Sequence, residues 1–127
     1  MNNVASILLL VFLALTFIQS SYEKLFYWQE NLDFMKDHFA KTRLKNLVKL
    51  ALIHLVILEL ISGILSVVGV IELLVNNGRT FGFYGAIFSS ISLLMMLFGQ
   101  RLAKDYDGAR TVVIYFIPAV MAVYWLN

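Results

Sequence analysis

Cysteine is absent from the 127 residues. That excludes a disulfide framework, a thiolate redox centre, an iron–sulfur cluster and Cys-bound zinc. Charge is scarce: 14% of the chain is Asp, Glu, Lys or Arg, where a soluble domain has about 25%. Hydrophobic residues make up 61%, and a chain this short has too little interior to hide them. They number about 77, close to four membrane spans of ~20 residues each. A soluble enzyme is excluded, as is a disordered or collagen-like chain. The net charge of +2 rests on only ten Lys and Arg. A nucleic-acid partner needs a basic face for phosphates, and the loop cations of a membrane protein account for these more simply.

The composition predicts an all-α polytopic membrane protein, a single domain in which four transmembrane helices form an antiparallel bundle. The first span covers residues 4–22. It reads as a helix rather than a cleaved signal, because no Lys or Arg precedes it and no small-x-small site follows. From about residue 24 to 46 the chain is charged and aromatic. Leu25, Trp28, Leu32, Met35 and Phe39 recur at helical spacing, with Gln29, Glu30, Asp33, Lys36 and Asp37 on the other side. This predicts an amphipathic interfacial helix, followed by the basic cluster Lys41, Arg43, Lys45 and Lys49. The second span, 48–75, is long enough to tilt or project beyond the hydrocarbon. A tight turn at Asn76–Thr80 follows, with Asn-Gly expected to supply unusual backbone angles. The third and fourth spans cover 81–99 and 111–126, and Pro118 is expected to kink the fourth.

Cations set the orientation. The first and third connectors hold nine of them, from Lys24 to Arg110, and the other side holds only Arg79. The bias predicts both chain ends on the non-cytoplasmic side, with Trp28 and Trp125 at opposite interfaces.

An ionisable group at bilayer depth costs about 2.5–3.5 kcal/mol on insertion scales, so each needs a reason. Glu59 lies ~15 Å along the helix from Lys49, near the midplane. Glu59, Ser62, Gly63, Ser66 and Gly69 form one small, polar stripe. Gly82, Gly85, Ala86, Ser89 and Ser92 form a matching one, with Ser90 just off it. Small residues allow close helix approach and hydroxyl bonds across the contact. Ser62, Gly63, Ser66, Gly82 and Gly85 are therefore packing candidates. Ser89, Ser92 and Tyr115 are expected near the depth of Glu59. The conservative expectation is a protonated Glu59 hydrogen-bonded between helices; a proton relay, quinone contact or ligand anchor are the alternatives.

His54 lies ~140° around the helix from Glu59 and shares no face with it. It is a second ligand or proton-site candidate. His38 is not placed to pair with it as an axial haem ligand. No metal-site spacing survives among His54, Glu59 and Glu72, and there is no glycine-rich phosphate loop or nucleophile–His–carboxylate pattern. Glu23, Lys24, Arg101, Asp105 and Asp107 are candidates for pairing across the cytoplasmic face.

Tyr22-Glu23-Lys24-Leu25 closes the first span, and ILELISGILSVVG runs from Ile57 to Gly69 in the second. Asp105, Tyr106, Asp107 and Gly108 are followed by Tyr115 and Phe116. In these motifs the chain resembles the DoxX-like family of small four-helix bacterial membrane proteins. Family members often carry a glycine in the region that Ser20 and Ser21 occupy here. The resemblance implies an integral protein of the bacterial inner membrane. Some relatives are described as small subunits of thiosulfate:quinone oxidoreductase, or as anchors in oxidoreductase assemblies. Carried over by position, Lys24, Glu59 and Gly63 are the family-pattern residues. Without cysteine, any redox role would need a bound quinone or a partner's cofactor.

Three functions follow as expectations. The first is a non-catalytic accessory or anchoring subunit that meets membrane lipid and other membrane subunits, with a homo-oligomer possible and no intrinsic cofactor. The second is a quinone- or lipid-binding redox subunit taking up protons through Glu59, assisted by His54 or Tyr115. The third is a small proton-coupled exporter. Such exporters carry their carboxylate in the first helix, where none precedes Glu23 here.

Overall fold

The computed structural model describes residues 3–42 and 46–127. Arg43 and Lys45, placed by sequence in the basic cluster, lie outside the described residues. Among the described residues, five helices follow one another: α1 (Val4–Phe26), α2 (Trp28–His38), α3 (Val48–Asn76), α4 (Thr80–Leu102) and α5 (Tyr106–Leu126). All but α2 are long and apolar enough to cross a membrane. No more than 39% of the most apolar window of any of the four is buried. The outward Leu8, Leu15, Ile57, Ile64, Ile114 and Ile117 are each more than half exposed. An apolar surface this extensive is stable against lipid and not against water. The protein is a transmembrane helical bundle.

α3 packs between α1 and α4, α5 packs on α4, and a smaller α1–α5 contact closes the ring. Leu10, Leu13 and Phe17 of α1 meet Leu73, Ala86, Leu93, Ala119 and Ala122 in the main core. Glycine sets the spacing of α3 and α4. A Cβ on Gly69 would stand 2.6 Å from the Gly82 nitrogen, and one on Gly85 would stand 2.9 Å from the Ser66 nitrogen.

The helix ends differ from expectation. α1 continues to Phe26, so Leu25 belongs to it and is half exposed. The chain turns at Tyr27 (φ −114°, ψ 43°), and only Trp28–His38 form the amphipathic helix. Leu32 of α2 and Phe39 just beyond its end pack against Val48, Leu52 and Val56. Those residues begin the 29-residue α3, which at ~1.5 Å per residue outreaches the 23-residue α1 by ~9 Å. The expected overhang of the second span is therefore covered by α2 instead of being taken up by tilt alone.

α4 runs to Leu102 and α5 starts at Tyr106. Gln100, Arg101, Asp107 and Arg110 are thus helical and not part of a connector. Asp105 caps α5 by accepting from the Gly108 N–H at 2.9 Å. α5 continues through Pro118. In the turn after α3 it is Asn77 that takes the left-handed conformation (φ 60°), while no glycine there has a positive φ. Gly78 is needed for room, since its Cβ would stand 2.6 Å from the Glu72 side chain.

Candidate functional site

α1 turns Leu10, Leu13, Ala14, Phe17 and Ser21 inward. Ser20 and Lys24 stand one turn apart on the edge of that face. α3 meets them with Glu59, which is fully buried. The Lys24 Nζ donates to Glu59 Oε1 at 3.2 Å and to the Ser20 Oγ at 2.6 Å. The Ser20 hydroxyl in turn stands 3.1 Å from both carboxylate oxygens. A buried carboxylate is tolerated when a cation and a hydroxyl both engage it. One turn further along α3, Gly63 permits the approach. A Cβ there would lie 2.7 Å from Ile18 Cγ1 and 3.3 Å from the Ile18 nitrogen. Lys24, Glu59 and Gly63 thus share one α1–α3 contact, level with the last two turns of α1.

The serines on the two stripes do not reach Glu59. Ser62, Ser66, Ser89, Ser90 and Ser92 each donate to a carbonyl one turn back in their own helix, at 2.7–2.9 Å. Their hydroxyls are satisfied locally, and their small size serves the packing. The expected bonds across the α3–α4 contact are replaced by the α1 partners. His54 is exposed on α3. Tyr115 stacks on Phe12 with ring centroids 5.8 Å apart.

The expected pairing of Lys24 with the third connector is also replaced. Asp107 binds Arg110 at 2.9 Å, and the Arg101 guanidinium lies 5.8 Å from the centre of the Tyr106 ring. Glu23 is exposed. Glu72, near the other end, accepts from the Phe81 N–H at 3.1 Å and so holds the start of α4.

Asp105 takes a partner that the sequence did not suggest. Its Oδ2 lies 3.6 Å from the His38 Nε2, which also meets Gln100 Oε1 at 2.9 Å. Gly108 makes room for the group: a Cβ there would stand 2.7 Å from Asp105 Oδ2 and 2.8 Å from Gln100 Nε2. The one signal in the sequence was the position of His38 at the end of the amphipathic stripe, next to the connectors. Ser20 was signalled only by standing four residues before Lys24.

Between α2, α3, α4 and α5 lies a cavity of about 690 Å³. Met35, Leu55, Met95 and Met96 contribute to its apolar walls, and Lys24, His38, Gln100 and Asp105 also line it. A smaller groove of about 290 Å³ runs between α1 and α3, lined by Val11, Leu15, Ile18 and Val67 among others. Among the described residues, no three His, Asp or Glu side chains come together to hold a metal ion. Compared with family models, curated proteins and solved structures, the chain has no match in any of the three.

Proposed function

We propose that this chain is a DoxX-like integral protein of the bacterial inner membrane, acting as a non-catalytic accessory or anchoring subunit of a larger respiratory or redox assembly. One observation carries the reading. Lys24, Glu59 and Gly63, the three positions that the resemblance singles out, converge on one contact between α1 and α3. In this role the Lys24–Ser20–Glu59 group fixes the register of the two helices. α2 supports the partner-binding side of the proposal. Its apolar residues rest on α3, while Gln29, Glu30, Asp33, Lys36 and Asp37 are exposed, a polar face for a neighbouring subunit. The cation-rich end that carries α2 is assigned to the cytoplasm by its nine Lys and Arg, leaving both chain ends outside.

The tagged full chain, extracted gently from its own membranes, tests this reading. Elution with another membrane protein in fixed stoichiometry is expected. Elution as a monomer or simple homodimer contradicts it.

A further inference from the structure

The 690 Å³ cavity is within the ~300–1,000 Å³ range that seats small ligands, and its lining specifies the class of ligand. Three of the five methionines in the chain, Met35, Met95 and Met96, contribute to its wall. Methionine is flexible and polarisable, and it adapts to an irregular apolar guest. Ile91, Leu94 and Phe98 of α4 also line the cavity while being 42%, 49% and 64% exposed. The mouth therefore opens on the apolar outer surface of a membrane-spanning helix, where a guest arrives from lipid.

The polar side of the lining consists of Lys24, Asn31, His38, Gln100 and Asp105 and is electrically balanced. Its two formal charges, Lys24 and Asp105, are opposite and already engaged. Lys24 is bound to Glu59, and Asp105 caps the N-terminus of α5. A charged head group would disturb that balance. Two donors remain. Lys24 has three N–H groups and uses two, on Ser20 and Glu59. The Gln100 oxygen is occupied by His38, which leaves its amide N–H groups.

We infer that this cavity binds an uncharged membrane amphiphile, an apolar tail with carbonyl, ester or hydroxyl oxygens in its head that accept hydrogen bonds from Lys24 and Gln100. A quinone and a neutral glycerolipid share that chemistry. The site requires no partner subunit and stands apart from the anchoring role.

The test uses the full chain in phosphatidylcholine nanodiscs, titrated separately with decylubiquinone and 1-oleoylglycerol and read by native mass spectrometry. Binding that saturates at one molecule per chain is expected for at least one probe, and the probe that binds identifies the source of the head group. Gln100→Leu should weaken binding about tenfold, the loss of one good hydrogen bond. Ala51→Phe, which fills the cavity from α3, should abolish it. Leu94→Trp serves as a second plug should helical circular dichroism show that Ala51→Phe does not fold. Failure of both probes to saturate, unchanged affinity in Gln100→Leu, or binding that persists in a folded plug variant overturns the proposal.

Discussion

Lys24 in the last turn of α1 and Glu59 in the middle of α3 meet at 3.2 Å, with the Ser20 hydroxyl bonded to both. The pair joins a helix end to a helix middle because α3 begins about two turns beyond the end of α1. Removing either charge alone leaves the other where water cannot reach it easily. Such a loss costs about 3–5 kcal/mol, whereas removing both can be close to neutral.

That asymmetry gives the first prediction. Lys24→Met should destabilise the bundle by roughly 3 kcal/mol and expose α1 to protease. Adding Glu59→Leu should restore most of the loss. Thermal unfolding in detergent, followed by helical circular dichroism, makes the comparison.

Ser20→Ala removes one hydroxyl from the group and leaves the ion pair in place. A loss of about 1 kcal/mol is expected in the same unfolding measurement, well short of the effect of Lys24→Met.

The glycines divide by what stands next to them. Gly69→Val forces a side chain into the Gly82 backbone and should cost at least 1–3 kcal/mol, the usual range for overpacking. At Gly99 an added Cβ stays 3.4 Å from the Phe39 ring, so Gly99→Ala should be tolerated. Yield and unfolding temperature of the two variants should differ in that order.

The turn after α3 separates conformation from space. Asn77 has φ 60°, which glycine adopts freely and β-branched residues do not. Asn77→Gly should be close to neutral and Asn77→Val destabilising by about 1–2 kcal/mol. Gly78→Ala should also destabilise, by crowding Glu72 and loosening its bond to the Phe81 N–H.

Much of the fold is visible in the periodicity of the chain. The stripe from Glu59 to Gly69 and the stripe from Gly82 to Ser92 are both buried, because small residues at helical spacing leave nowhere else for a close contact to form. The ends of α4 and α5 were less legible. Gln100, Arg101 and Asp107 lower the local hydropathy, yet they break no helical hydrogen bond. The partner of Glu59 could not be read from α3 itself, since it depends on how far α1 slides along α3. The Ile18–Gly63 approach sets that slide. The serines misled for a local reason: a helical hydroxyl finds the carbonyl one turn back before it finds a neighbouring helix. The cavity was hidden because it exists only once α2 has folded back over the overhang of α3.

The central claim, that Lys24 and Glu59 act as one structural link between α1 and α3, is tested most directly by a double-mutant cycle. Unfolding free energies of Lys24→Met, Glu59→Leu and the double variant are compared with the unsubstituted chain. The account predicts two damaging single substitutions and a double variant more stable than either. Two independent, additive losses would contradict it.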